Sequence, residues 1–284
     1  MPKALPTAWL DGEFTAIEEA RISPLDRGFL YGDGVYEVIP VYSGAPFETD
    51  AHLDRLDRSL EAVGIANPFP RTQWREILDG LVEKNAMRDA AIYLQVSRGA
   101  TRGRDHVFPV AAEPTVFAMG LERPEGTRDT GSAITLDDIR WSHNHIKATS
   151  LLGNVLLRQA AAESGADEAI LLRDGHAIEA SSSNLFIVRD GVLVTPELQP
   201  HILAGITRKV IVEVARENGV PVEERPITEA ELRQADEIWI ASSMREILCI
   251  ATLDGEPVGA AAQVEQPGPL YSRLKPAFAA RTYS

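Results

Sequence analysis

With 284 residues, 44% of them hydrophobic and 25% charged, the chain has the composition of a globular protein with one large core or two modest ones, not of a disordered segment. A formal charge of −14 argues against nucleic acid and anionic membranes as partners, and it requires a local basic pocket for any anionic ligand. The lone cysteine, Cys249, excludes an internal disulfide framework and a Cys-rich zinc site. No metal site is expected. An N-terminal stretch without the apolar core of a signal peptide, and no apolar run of membrane-spanning length, predict a cytoplasmic protein.

In chain order, Ala8-Trp9-Leu10, a turn at Asp11-Gly12 and Phe14 predict a hairpin. Residues 35–41 predict a strand. Leu53, Leu56, Leu60 and Val63 recur at helical spacing over 50–63, and Gly64 supplies a stop. A second helix is predicted over 72–85, then strands over 91–97 and 114–119, with a basic, glycine-containing loop at 99–105 between them. The polar segment LERPEGTRDTG lacks apolar periodicity. It is expected to link a small domain (1–120) to a larger, strand-rich one (132–284), with 121–131 as the linker. Beyond it come a helix from Ser150 to Ser164, two hairpins turning at Asp174-Gly175 and Asp190-Gly191, and a helix over 207–218. A capping box at Thr228-Glu229-Ala230-Glu231 and strands over 237–241 and 247–253 follow. Strands gathered in hairpins favour an α+β fold over a doubly wound sheet.

Five groups of residues could carry chemistry. Lys147 precedes the helix expected from Ser150, where the helix dipole and desolvation favour an uncharged, nucleophilic amine; a solvated surface lysine is the plain alternative. Glu179, at the end of a strand, could pair with a protonated pyridine nitrogen or simply face solvent. Gly205-Ile206-Thr207 opens a helix and offers backbone N–H groups and a hydroxyl to an anion, or else an ordinary cap. Ser242 and Ser243 could add hydroxyls to that anion site. Arg55, off the leucine stripe of its helix, could reach a phosphate or lie on a solvated face. Arg98, Arg102, Arg104 and His106 concentrate positive charge in one loop of an acidic chain, suited either to a carboxylate or to solvent.

Lys147, Glu179 and Gly205-Ile206-Thr207 occur in the order found in a known family. With the stretches DRGFLYGDGVYEVIPVY (26–42), HLDRL (52–56), DIRWSHNHIKATSLLGNVLL (138–157), EAILLRDGHAIEASSSNLFIVRDG (168–191), ILAGITRKVI (202–211) and IASSMREI (240–247), the chain resembles the fold-type IV pyridoxal phosphate enzymes over nearly its full length. These include D-amino acid transaminases, branched-chain aminotransferases and aminodeoxychorismate lyases. The resemblance implies a two-domain α+β fold with a small α/β N-terminal domain and pyridoxal 5'-phosphate as cofactor. Lys147 would hold the cofactor as a Schiff base and shuttle the proton. Glu179 would pair with the pyridine nitrogen. Arg55, Ile206, Thr207, Ser242 and Ser243 would hold the phosphate, and Leu203 would back the ring.

Within that family, Val35-Tyr36-Glu37 and Arg104-Asp105-His106 followed by Phe108-Pro109 are most similar to the carboxylate trap of D-amino acid transaminases. Tyr36, Val38 and Ser183 would line the substrate, with Arg104 and His106 reaching in from the second subunit of a homodimer whose active site lies near the subunit interface. The resemblance implies ping-pong transamination of D-amino acids such as D-alanine with a 2-keto acid. The alternatives are a branched-chain L-amino acid aminotransferase and an aminodeoxychorismate lyase. The loop RGATRGRDH is one residue longer than expected, which leaves Arg102 as the alternative to Arg104. Arg245 stands where a small polar residue is more usual, facing either the substrate pocket or solvent.

Overall fold

The computed structural model describes residues 2–123, 128–259 and 266–283. Residues 124–127, in the middle of the expected linker, lie outside the described residues. The chain divides into two compact units. One comprises Met1–Glu125 and Ile146–Leu151, and the other Gly126–His145 and Leu152–Ser284.

The first unit contains β1 (Ala4–Leu10), β2 (Glu13–Ala16), α1 (Arg27–Tyr31), β3 (Gly34–Tyr42), β4 (Ala45–Pro46), α2 (Thr49–Ala62), α3 (Arg71–Lys84), β5 (Ala90–Ser97) and β6 (Thr115–Glu122). Its sheet runs β2-β1-β6-β5-β3-β4, with antiparallel neighbours throughout. The period-2 pattern of β3 sends Val35, Glu37 and Ile39 to one face and Tyr36 and Val38 to the other. Val35 and Ile39 pack with Leu53, Leu56 and Leu60 of α2 and Trp74, Leu78 and Leu81 of α3 into one core. The expected leucine stripe is thus the buried side of α2.

The segment 146–151 belongs to this unit because its backbone pairs with β3. Val35 bridges Ala148, Tyr36 N–H donates to the Lys147 carbonyl at 2.9 Å, and Thr149 N–H donates to the Gly34 carbonyl at 3.0 Å.

The second unit contains β7 (Thr130–Asp137), α4 (Leu152–Glu163), β8 (Glu168–Arg173), β9 (His176–Ala180), β10 (Asn184–Arg189), β11 (Val192–Thr195), α5 (Ile206–Glu217), β12 (Val222–Glu224), β13 (Ile227–Thr228), α6 (Glu229–Arg233), β14 (Glu237–Ser242), β15 (Glu246–Leu253), β16 (Glu256–Pro257) and α7 (Pro269–Thr282). Its sheet runs β12-β11-β10-β14-β15-β7-β8-β9-β13, and β9 also pairs with β10 through Glu179 and Asn184. That last pairing closes six strands into a barrel-like ring filled by Ala133, Ile170, Leu185, Ile187, Ile238, Ile240 and Ile250. Leu157 and Ala161 of α4 cover Ala169, Leu171 and Ile178. The expected α+β class holds.

Three details depart from the sequence reading. The helix expected from Ser150 begins at Leu152, so Lys147 stands five positions upstream of it, beyond the one turn over which the helix dipole acts. Strand β7 begins at Thr130, inside the expected linker. The C-terminal helix α7 was not anticipated. It has Pro276 in its interior, and its first turn is capped by a distant residue: Glu237 accepts from Leu270 N–H at 2.7 Å and Tyr271 N–H at 3.0 Å. Cys249 is buried in β15, and burial pushes its thiol up to about 11, so it acts as a small apolar side chain.

Candidate active site

In the first unit, Lys147 is fixed by its backbone. Its carbonyl accepts from Tyr36, and its N–H donates to Ser59 Oγ at 3.3 Å. The half-buried side chain places Nζ 4.1 Å from the centre of the Tyr36 ring. Tyr36 stacks on Tyr93 across the β3–β5 ladder at 5.7 Å, and Tyr93 Oη donates to Gln95 at 2.6 Å. Val38, paired with Tyr93, lies on the same face. Tyr93 and Gln95 therefore join Tyr36 and Val38 in one polar-aromatic wall, as their alternation with Leu94 along the expected strand allows.

Arg55 is not on a solvated face. It is buried, and its guanidinium grips Glu37 through Nε to Oε1 at 2.8 Å and Nη2 to Oε2 at 2.7 Å. His52 Nδ1 lies 2.7 Å from Glu37 Oε2. A carboxylate only accepts, so Nδ1 carries the proton. Burial opposes the charge on Glu37, but Arg55 and His52 hold its carboxyl down to about 2. Burial lowers the His52 pKa and keeps that ring neutral.

The basic loop divides. Arg98 is not part of its exposed charge: it is buried, donates to Asp33 and to the Val63 and Gly64 carbonyls, and lies 3.6 Å from the centre of the Phe108 ring. Arg102, Arg104 and His106 are exposed. Arg104 and His106 both flank the Tyr31 ring, at 5.2 and 5.4 Å. Arg27 holds the loop backbone, donating to the carbonyls of Asp105 at 2.6 Å and His106 at 3.3 Å while pairing with Asp33. Burial raises the Asp33 carboxyl, but Arg98 and Arg27 outweigh it and keep the pKa below the ordinary range.

In the second unit, Glu179 sits at the seam where the barrel closes. Oε1 accepts from Arg140 Nη1 at 2.5 Å, and Oε2 accepts from Leu203 N–H at 3.2 Å and Asn184 Nδ2 at 3.4 Å. Burial raises its pKa above the ordinary carboxylate value, against the pull of Arg140 and the Leu203 N–H. A basic carboxylate with about four acceptor sites and three donors keeps capacity for one more N–H. Asn184 Nδ2 also donates to the Leu203 carbonyl at 2.8 Å, fixing the residue expected to back a ring. Arg140, Asp138 and Asn184 lie within the stretches quoted above but were given no role there.

Gly205, the N-cap of α5, packs so closely that a Cβ would fall 1.9 Å from Asn184 Oδ1. No side chain caps that first turn, so Ile206 and Thr207 present their N–H groups as an anion site does. Asn184 pairs with Ala241, which brings Ser242 and the turn residue Ser243 to the same end of the ring. Ser181 and Ser182 donate to Glu168, whereas Ser183 Oγ is buried without a hydrogen-bond partner in the described structure. Arg245 is half-buried: it donates to the Asp167 carbonyl at 3.3 Å and lies 3.6 Å from Glu168.

An unsealed helix start, nearby hydroxyls, an orphaned buried hydroxyl and a carboxylate with spare acceptor capacity fit a phosphorylated ring with a protonated nitrogen. The family model of amino-transferase class IV matches residues 34–253. The D-alanine aminotransferase of Bacillus licheniformis is 38% identical over 270 residues, 94% of each chain. That of Listeria monocytogenes serotype 1/2a is 42% identical over 246 residues, 85% of each. Among solved structures, the branched-chain aminotransferase of the thermophilic archaeon Thermoproteus uzoniensis, with norvaline, superposes with a TM-score of 0.88 at 28% identity, covering 98% of this chain and 94% of that one. The chain belongs to the class IV aminotransferases, as the resemblance read from its motifs implied.

Proposed function

We propose that this protein is a pyridoxal 5'-phosphate-dependent aminotransferase that moves the amino group of D-amino acids, D-alanine among them, to a 2-keto acid. The observation that carries this reading is the similarity to D-alanine aminotransferases over most of the chain. When bound, the cofactor supplies an aldehyde that condenses with amines and a protonated ring that withdraws electrons from the substrate Cα.

The chain's own residues do the rest. Lys147 Nζ would hold the aldehyde and, once the substrate amine has displaced it, would take the Cα proton and return it. Glu179, pinned from three sides, accepts from the ring N–H, and Leu203 backs the ring. Ile206, Thr207, Ser242, Ser243 and Arg55 hold the phosphate. Tyr36, Val38 and Ser183 line the substrate, and Arg104 and His106 bind its carboxylate. A carboxylate held on one side presents a D-configured Cα–H to Lys147.

The two-domain division at 121–131 belongs to the same reading, as do a cytoplasmic setting and a homodimer in which Arg104 and His106 serve the second subunit. Among the described residues, no helix is long and apolar enough to cross a membrane. Leu152, Val155 and Leu156 of α4 are 71%, 58% and 52% exposed and form one apolar stripe at i, i+3 and i+4 spacing, which supports a protein partner there.

Borohydride trapping followed by peptide mapping is expected to place the adduct on Lys147, and Lys147→Ala should abolish both label and turnover. A label on another amine would sink the assignment. The branched-chain name of the solved relative favours a second reading. Adding D-alanine, L-alanine and L-leucine separately to the yellow protein discriminates between the two: bleaching by D-alanine alone supports the first reading, and bleaching by L-leucine alone supports the second.

A further inference from the structure

Glu179 is the inner end of a line of four charges in the second unit. Arg140 gives one N–H to Glu179 and two to Asp138, from Nε to Oδ1 at 2.8 Å and from Nη2 to Oδ2 at 3.1 Å. Arg173 Nη2 reaches the same Asp138 Oδ2 at 2.8 Å. The side chains of Asp138, Arg140 and Glu179 are 0%, 4% and 5% exposed, while that of Arg173 is 25% exposed. Arg173 lines a cavity of about 250 Å³ with His176, Glu197 and His201. The inner three charges are dry and the outer one meets solvent.

We propose that Asp138 and Arg173 are positioning residues that set how strongly Glu179 pairs with the cofactor's ring nitrogen. The inference rests on the proposed function, because it takes Glu179 as the partner of that nitrogen. One guanidinium is shared between two carboxylates. The backbone N–H of Arg140 also donates to Asp138 Oδ1, at 3.0 Å, so this arginine is held in place without Glu179. Leu203 and Asn184 fix Glu179 from the other side. With the positions set, charge is what varies. Asp138 competes for Arg140 and leaves more negative charge on Glu179, whereas Arg173 neutralises Asp138 and weakens that competition. Consistently, after burial and the opposing pull of Arg140, Asp138 is among the groups that raise the Glu179 pKa.

The two outer residues therefore act with opposite sign. Full-length apoprotein is titrated with pyridoxal 5'-phosphate and with its 1-deaza analogue, in which a C–H replaces the ring nitrogen. Both keep the aldehyde and the phosphate, so the ratio of the two Kd values reads the nitrogen contact alone. A unit charge at about 10 Å, in a medium of effective dielectric about 20, biases an equilibrium roughly tenfold. Asp138→Asn is expected to shrink the parent's preference for the natural cofactor roughly tenfold, and Arg173→Met to enlarge it several-fold. If the two affinities change in parallel with the ratio fixed, or the ratio moves the same way in both variants, the inference fails. Should Asp138→Asn not fold, Arg173→Met must still raise the ratio and Arg173→Lys must restore it. A parent protein that does not discriminate between the two ligands overturns the role of Glu179 in the proposed function, and this inference with it.

Discussion

Replacing Glu37 by glutamine tests whether the first unit is held together by a buried charge pair. The residue is fully buried, and each carboxylate oxygen already has a donor: Arg55 Nε on Oε1, and both Arg55 Nη2 and His52 Nδ1 on Oε2. An amide in the same place turns its NH₂ toward a donor in either orientation. A change of His52 tautomer could satisfy one contact, but it leaves a buried guanidinium facing a neutral group. Breaking a buried pair from one side costs about 3–5 kcal/mol. The pKa of Glu37 gives an independent figure: a drop from 4.5 to about 2 corresponds to about 3 kcal/mol of stabilisation at neutral pH. Calorimetry of the apoprotein should show the melting temperature falling by on the order of 10 °C.

The sign of the pH dependence follows. A depressed carboxyl pKa gives stability that is fully present above 4.5 and is lost as pH falls toward 2. His52, whose pKa is also lowered, adds a loss that begins as pH falls below its ordinary 6.5, because only the unfolded chain takes up that proton. Glu37→Gln should erase the component below 4.5. Adding Arg55→Met should recover part of the loss, since it removes the guanidinium left buried without a carboxylate. A single variant that melts within about 2 °C of the parent, equivalent to well under 1.5 kcal/mol, would refute the reasoning, as would a double variant that is worse than the single.

Three further outcomes are expected. Gly205→Ala puts a methyl 1.9 Å from Asn184 Oδ1 and should displace the start of α5, weakening cofactor binding by roughly tenfold or more for an overpacking cost of about 1–3 kcal/mol; unaltered affinity in a fluorescence titration would contradict this. Glu237→Ala leaves the Leu270 and Tyr271 amides and Trp239 Nε1 without their acceptor, at a cost of about 2–4 kcal/mol; hydrogen exchange should show α7 opening before the rest of its unit. Arg27→Met frees the backbone of Asp105 and His106 and, on the proposed function, should raise KM for amino acids roughly tenfold with little change in cofactor affinity; an unchanged KM would remove the loop from substrate binding.

Local chemistry explains what could be read without a structure. The turns at Asp11-Gly12, Asp174-Gly175 and Asp190-Gly191 place both residues at positive φ, the conformation Asp-Gly supplies most readily in two-residue hairpins. The Thr228–Glu231 capping box forms with both of its reciprocal bonds. What escaped is non-local. Strand β7 is polar and half-exposed, and it becomes a strand through parallel pairing with β8 and β15, contacts that no window of sequence contains. Helix α7 carries a proline and takes its cap from a residue more than thirty positions away. Arg98 and Arg104 look alike in sequence, yet only Arg98 finds Asp33, sixty-five positions upstream. The identities of Lys147, Glu179 and Thr207 were legible from motif order, whereas the partners that fix Glu179 were not.

Charge placement ties these observations to function. The protein carries a net −14, yet two of its buried ionic clusters are neutral within themselves. Glu37 with Arg55 and neutral His52 is balanced within the first unit. Glu179, Arg140, Asp138 and Arg173 are balanced within the second. Burial enforces this neutrality, because an uncompensated charge in a dry interior costs several kcal/mol. A third cluster stands at the base of the basic loop: Asp33 is shared by Arg27 and Arg98, the buried Asp26 lies beside them, and the positive surplus comes from Arg102 and Arg104 on the loop itself. A carboxylate approaching an acidic protein is repelled everywhere except where local cations exceed local anions. The Arg27–Asp33–Arg98 cluster thus anchors the loop, and Arg102 and Arg104 give it the sign that an amino acid carboxylate requires. Asp33→Asn should keep the loop attractive to anions while loosening its anchor, and Arg27→Met should weaken both. KM measured for both variants at low and high salt separates the two effects, since only the electrostatic part is screened.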